Sequence, residues 1–293
     1  MVRSLALAVA LFFSSGCVPE DSPAESVSKA LVIGLDGVRS DALEAAETPE
    51  IDALMASGAW TLDGTTQLTG PTVSGPGWTS ILTGFEVVRH GIVNNDGWAS
   101  RVAGTPTWLK RAHDAGIPTA AAIHWAPILT GLIEEGSLDE SALGADDEVA
   151  GAVQDLIGSG EYALHFAHLD DVDAAGHSTG FSPENAAYLA AIEAQDARIG
   201  RMLRAVEARP EGESWLIGVT TDHGGSGTSH GPLDEENRRI PVILSGAGRD
   251  QGELEGGGAW SHMDPMTTAA HHVGVVIDER WDLDGRVVPK SAE

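Results

Sequence analysis

Five short runs, apolar at nearly every position, constrain this chain more than anything else in it: ALVIGLD (Ala30–Asp36), IPTAAAIH (Ile117–His124), EYALHFAHLD (Glu161–Asp170), SWLIGVTTD (Ser214–Asp222) and IPVILSG (Ile240–Gly246). A strand with one wet face alternates, whereas a strand of a parallel sheet covered on both faces is apolar throughout. Helical segments lie between the runs. TPEIDALMASGA reads as a helix with Pro49 in its first turn, and a longer helix is expected from Ser182 to about Ala208. In the longer one Ser182 can cap, Pro183 fits the first helical position, and Tyr188, Ile192, Ile199, Leu203 and Val206 share a face. Strands alternating with helices predict an α/β fold, a mostly parallel central sheet sandwiched by helices. Ligands of such sheets sit at the carboxyl ends of the strands. With 293 residues, 42% of them apolar, the chain can bury the core of one large domain or of two intimate ones, and a single catalytic domain over residues 30–293 is expected.

The start of the chain is of another kind. MVRSLALAVALFFSSGC has a basic residue, an apolar run too short to span a bilayer (Leu5–Phe13), and small residues before Cys17, so residues 1–17 read as an export signal. SSGC resembles a bacterial lipobox, although Leu is missing at the third position before the cysteine. Cys17, the only cysteine, would then carry a lipid anchor, and no intrachain disulfide can form. Residues 18–29, rich in Pro, Ser and Glu, are expected to be a flexible tether. The expected location is a bacterial cell envelope, periplasm or outer membrane, with membrane contact only through the anchor. Acidic residues outnumber basic ones 44 to 17, a net charge of −27, which excludes nucleic-acid binding by a basic face.

Three of the apolar runs finish in residues able to bind metals. Asp36 precedes Gly37 at the end of the first, although Asp-Gly is also an ordinary turn. LDDVDAAGH places Asp173 and His177 four residues apart, with Asp170 and Asp171 as rival ligands. TTDHGGSGTSHG supplies Asp222, His223 and His230 around a glycine-rich turn that lets adjacent residues face one ion. Three aspartates and three histidines suffice for two three-ligand sites with open positions, the mark of catalytic metal centres. Two ions can hold both oxygens of an in-line phosphoryl displacement. The nucleophile such a pair needs is offered by PTVSGPGWTSILTG. There Ser74 sits on a turn before a helix starting at about Pro76, and the backbone N–H of Gly75 faces any incoming phosphate.

The motifs VIGLDGVR, PTVSGPGWTSILTG…HGIVNN, DVDAAGH, TTDHGG and SHG, in this order and with a closing WDLDGR, resemble the alkaline phosphatase superfamily over roughly Leu31–Arg286. They are most similar to its nucleotide pyrophosphatase/phosphodiesterase (type I phosphodiesterase) branch. The resemblance implies a hydrolase of phosphodiester or phosphoanhydride bonds, acting on a small phosphate ester or nucleotide. Ser74 falls on the nucleophile, which in that branch is usually Thr. Asp173, His177 and His230 fall on the ligands of one zinc, and Asp36, Asp222 and His223 on those of the other, with Ser74 bridging toward it. Asn95 falls on the asparagine that contacts a non-bridging phosphate oxygen, Asn94 being its neighbour, and Gly75 N–H is the second donor. The cofactors implied are two divalent ions, zinc with manganese as the substitute. A phosphoryl-serine intermediate and its release by an activated water are implied with them.

Two other functions compete. A phosphomonoesterase would use the same metal pair, and a non-catalytic, surface-anchored binding protein would lack a ligand, but none is missing. Sulfatases of the superfamily need Arg where Trp78 stands, which argues against that activity. His90, His165, His168, His262, His271 and His272 read as structural. Trp78 and Trp125 could face a leaving group, as could the loops Gly97–Thr105 and Trp125–Ala145.

Overall fold

The five apolar runs become neighbouring strands of one sheet. The computed structural model describes residues 26–96, 101 and 104–290, so the signal segment with Cys17, most of the tether and most of the Gly97–Thr105 loop lie outside the described residues. In chain order the elements are β1 (Val27–Leu35), α1 (Ser40–Ala45), α2 (Pro49–Ser57), β2 (Gly58–Thr65), α3 (Ser74–Thr83), α4 (Val87–His90), α5 (Trp108–Asp114), β3 (Thr119–Ile123) and β4 (Glu140–Leu143). They continue as α6 (Asp146–Ser159), β5 (Leu164–Leu169), α7 (Asp171–Thr179), α8 (Ala186–Glu207), β6 (Glu213–Thr220), α9 (Glu235–Arg238), β7 (Arg239–Gly246), β8 (Gly252–Glu253) and α10 (Asp264–His272).

Among the described residues the sheet has eight strands in the order β4-β3-β5-β1-β6-β7-β2-β8. All neighbours pair in parallel except β7, which is antiparallel to both β6 and β2. Both faces are covered. Leu31, Ile33 and Leu35 of β1 join a core with Val153 and Ile157 of α6 and Tyr188, Ile192 and Ile199 of α8. Ala30 and Val32 face the opposite core, with Trp78, Ile81 and Leu82 of α3, Leu109 of α5 and Met266 of α10. This two-sided burial is why β1 reads as an unbroken apolar run. Among the described residues no helix is long and apolar enough to cross a membrane.

Three boundaries differ from the sequence reading. β1 begins at Val27, so residues 27–29 of the expected tether are strand: they pair with Glu213–Trp215, and Lys29 Nζ donates to the carbonyls of Gly160 (3.0 Å) and Tyr162 (2.6 Å). Composition gave no sign of this, because the pairing partner lies far along the chain. The long helix begins at Ala186, where the Asn185 side chain accepts from Ala187 N–H. Ser182 instead closes the preceding turn through Glu184. The helix after Ser74 starts at Ser74 itself, with Val73 extended before it, which places Pro76 inside the first turn. There its missing N–H is no loss. The Trp125–Ala145 segment also contributes less to any pocket than its length suggests, since Ile128, Leu132 and Ile133 are buried in the core.

Candidate metal centre

The three strands whose ends carry acidic residues, β5, β1 and β6, are adjacent at the middle of the sheet, with axes about 4.8 Å apart. Asp36 follows β1, Asp173 and His177 lie on the helix that follows β5, and Asp222 and His223 follow β6. The chain turns immediately after Asp36 because Gly37 takes φ +72°, and a Cβ there would lie 2.8 Å from Asp173 Oδ1. Gly37 N–H then donates to Asp222 Oδ1 at 3.3 Å. Ser74, the first residue of α3, points its hydroxyl at this group, with Oγ 3.4 Å from His223 Nε2.

Two sets of side chains come together. His223 Nε2 lies 3.5 Å from Asp36 Oδ1 and 3.3 Å from Asp222 Oδ2. Beside it, His177 Nε2 is 3.3 Å from Asp173 Oδ2 and 3.1 Å from His230 Nε2, which is itself 3.8 Å from Asp173 Oδ1. The His223 and His230 rings stack with centroids 3.8 Å apart, so the two sets share a wall.

The hydrogen bonds behind the rings decide what the front atoms can do. His177 Nδ1 meets Thr228 O (3.0 Å), His223 Nδ1 meets Gly224 O (2.8 Å), and His230 Nδ1 meets Thr72 O (2.8 Å). A carbonyl only accepts, so each Nδ1 carries the proton and each Nε2 presents a lone pair to the cluster. Burial holds His223 low, at about 3, with the neighbouring His230 adding to the effect, and it lowers His230 as well. His223 and His230 therefore stay neutral.

Three carboxylate oxygens, Asp36 Oδ1, Asp173 Oδ1 and Asp222 Oδ2, are buried without a hydrogen-bond partner. Lone pairs facing lone pairs and orphaned buried carboxylates repel unless cations lie between them. Burial, then the charges of Asp36 and Asp170, pushes Asp173 up to about 9. Burial, then Asp36 and Asp173, also raises Asp222 well above the usual range. Burial would raise Asp36 too, but the His168 hydrogen bond, the neighbouring imidazoles and the Trp78 N–H together outweigh it and hold Asp36 low. Hard oxygen and imidazole donors in these proportions fit divalent ions of the zinc or manganese kind.

The rival ligands separate by their partners. Asp171 pairs with Arg198 at 3.1 Å, and Asp170 lies behind Asp36 beside His168. His168 accepts from Trp125 N–H at Nδ1 (3.4 Å) and so donates from Nε2 to Asp36 Oδ2 (3.3 Å), a hydrogen bond that supports Asp36. Trp78 is fully buried, and its Nε1–H donates to the same oxygen at 2.8 Å, so it faces the candidate ligand Asp36 and no leaving group. Both supports were invisible as such in the sequence, because each is defined by packing against a residue far away in the chain. Asn95 Oδ1 accepts from Gly75 N–H at 2.7 Å, leaving its Nδ2 hydrogens to donate, whereas Asn94 Oδ1 is spent on Asp96 N–H. Gly75 N–H is thus engaged by Asn95, and a Cβ at Gly75 would lie 2.4 Å from Asn94 O. Of the histidines read as structural, His90 bonds Ser80 Oγ at 3.0 Å and His165 meets Ala30 O at 3.1 Å.

Residues 30–273 match the family model described as type I phosphodiesterase / nucleotide pyrophosphatase. No curated protein matches the chain. Among solved structures, murine ectonucleotide pyrophosphatase/phosphodiesterase 5, an inactive variant in complex with AMP, is similar with a TM-score of 0.66 and 14% identity, covering 91% of this chain and 97% of that one. A phosphonate monoester hydrolase from Silicibacter pomeroyi is similar with a TM-score of 0.66 and 16% identity, over 91% of this chain and 78% of that one. A 2-O GAG sulfatase is similar with a TM-score of 0.69 and 12% identity, over 90% of this chain and 73% of that one. Likeness at such identities speaks for the alkaline-phosphatase-like fold and leaves the substrate to the site.

Proposed function

The chain belongs to the type I phosphodiesterase / nucleotide pyrophosphatase family and is a hydrolase of the alkaline phosphatase superfamily, and from that premise we propose that it cleaves phosphodiester or phosphoanhydride bonds with Ser74 as nucleophile at two divalent cations, zinc or in its place manganese. The observation that carries this reading is the convergence of three unpartnered buried carboxylate oxygens and three imidazole Nε2 atoms in front of the Ser74 hydroxyl. Asp173, His177 and His230 would hold one ion, and Asp36, Asp222 and His223 the other. When bound, the ions lower the pKa of a hydroxyl and offset charge on the phosphoryl oxygens.

The protein's own residues do the rest. Ser74 opens α3 with its Oγ 3.4 Å from His223 Nε2, so in this reading attack needs little reorientation. Ser74 gives up its hydroxyl proton as Oγ bonds to phosphorus and the bond to the leaving oxygen breaks. The leaving oxygen takes up a proton, and water then cleaves the Ser74 Oγ–phosphorus bond of the phosphoryl-serine and restores the serine hydroxyl. Asn95 Nδ2 is the donor to a non-bridging oxygen. Gly75 N–H can join it only by letting go of Asn95 Oδ1, so in this reading Gly75 first orients Asn95.

The test is the purified chain with zinc, assayed on an aryl nucleotide phosphodiester and an aryl phosphomonoester. Diester turnover is expected to dominate, to disappear with a chelator and to return with zinc. A strong monoester preference would overturn the substrate class, and full activity in Ser74→Ala would overturn the nucleophile. We propose also that residues 1–17 direct export to a bacterial cell envelope and that Cys17 is acylated. The support is the sequence SSGC alone, and radiolabelled palmitate incorporation lost in Cys17→Ala would bear it out.

A further inference from the structure

The chain has 44 acidic and 17 basic residues, so a buried cation without a carboxylate partner needs a reason. Arg111 of α5 is such a cation. It is 9% exposed, its Nε is buried with no acceptor, and among the described residues its guanidinium makes neither a hydrogen bond nor an ion pair. The nearby Glu134 is taken up by Arg101 and by the N–H (3.1 Å) and hydroxyl (2.6 Å) of Thr107. What holds Arg111 is aromatic: its guanidinium lies 3.8 Å over the Trp281 ring, with Trp108 at 5.3 Å and Phe85 at 5.8 Å. Stacking occupies the faces of the guanidinium and leaves its N–H edge unused. Burial brings Arg111 down to about 10, which still leaves it charged at neutral pH.

Arg111 lines a cavity of about 510 Å³ together with Phe85, Arg89, Thr105, Arg280 and Trp281. The other two arginines are already paired. Arg89 donates to Trp281 O (3.0 Å) and to Asp282, and Arg280 Nε donates to Asp278 at 2.9 Å. Arg111 therefore supplies the only unspent positive charge among the described arginines of this cavity. The cavity is separate from the metal centre, because Phe85 follows the far end of α3 and the helix's ten residues carry it about 15 Å from Ser74.

We propose that this cavity binds a small oxyanion of phosphate size through the in-plane N–H edge of Arg111. No carboxylate or carbonyl among the described residues accepts from this guanidinium, and an oxyanion in the cavity would offer it short, charge-assisted hydrogen bonds. The aromatic clamp keeps the guanidinium in one orientation, so little conformational freedom is lost on binding.

Inorganic phosphate titrated calorimetrically into the full, metal-loaded chain and into R111Q and R111K tests the proposal. The wild type is expected to show a component that R111Q weakens at least about tenfold, as the loss of a charge-assisted contact implies. The readout is the difference between the two proteins, so it stands whether or not phosphate also binds at the metals, and turnover in R111Q should match the wild type. Superimposable isotherms would reduce Arg111 to a structural clip and overturn the site. Should R111Q fail to fold, the ¹⁵N-arginine spectrum of the wild type decides, with R111K assigning the Arg111 Nε–H signal. That signal should move on phosphate addition, and a stationary signal overturns the proposal.

Discussion

A metal ligand needs its front atom aimed and its back atom held, and at the scale of single residues both halves are visible at the proposed ligands. Trp78 donates one N–H to Asp36 Oδ2 at 2.8 Å from a fully buried position. Trp78→Phe keeps an aromatic ring at this buried position and removes that donor, at the cost of a small cavity where the indole was larger. Supports of this kind are worth roughly 10–100-fold in metal affinity. Zinc affinity, measured by chelator competition, should fall by about tenfold with the fold intact, and an unchanged affinity would show that Asp36 is aimed by His168 alone. Asn95→Ala is expected to act on the other side of the reaction. Its amide is held by Gly75 N–H at 2.7 Å, so its removal should lower kcat/KM on the diester by about 10²–10³ while zinc content stays constant. These two residues also mark how far sequence reaches. Asp36, Asp173, Asp222 and the three histidines stand out because their chemistry falls at strand ends. The carbonyls of Thr72, Gly224 and Thr228 that set the imidazole tautomers carry no residue-type signal at all.

At the scale of elements, the short helix α7 matters most, since it carries Asp173 and His177. Its first N–H groups have no partner within the helix. Asp146, the first residue of α6, supplies one: its carboxylate accepts from Asp170 N–H and Asp171 N–H, both at 2.9 Å, from Gln195 Nε2, and from His124 at 2.6 Å. Asp146→Asn turns one oxygen into a donor facing donors. The expected cost is about 1–3 kcal/mol, seen as a drop of several degrees in Tm together with weaker zinc binding. A lower Tm with zinc affinity untouched would mean that α7 is positioned by its packing on α8 instead. The sequence showed the strands of the sheet centre and missed others for one physical reason. β1, β5 and β6 are buried on both faces and read as apolar runs, whereas ESAL of β4 is mostly exposed at the sheet edge. The pattern of GAWTLDGT in β2 is broken by the polar residues Thr61 and Asp63, where its pairing with β7 also shifts register.

At the scale of the whole molecule, a chain of net charge −27 places three carboxylates in one small volume at its centre, and pH reveals what that costs. Without cations, Asp173 keeps its proton up to about 9, chiefly through burial, and Asp222 is raised in the same direction. The unfolded chain gives these protons up near 3.8, so over the interval between, the folded form binds more protons than the unfolded one. Stability from these groups is thus present below about pH 4 and lost as pH rises toward 9. Asp36 works the other way, since its folded pKa is depressed: its contribution is lost only as pH falls below the ordinary carboxylate range, outside this window. Divalent ions invert the trend, because they bind only deprotonated ligands and displace those same protons. Tm followed from pH 5 to pH 8 should therefore fall with pH in chelator, while the increase produced by zinc grows over the same interval. A zinc-induced increase independent of pH would mean that the carboxylates are already ionised without metal. The strain that motivates two cations would then have to be carried by the facing imidazole lone pairs of His177 and His230 alone.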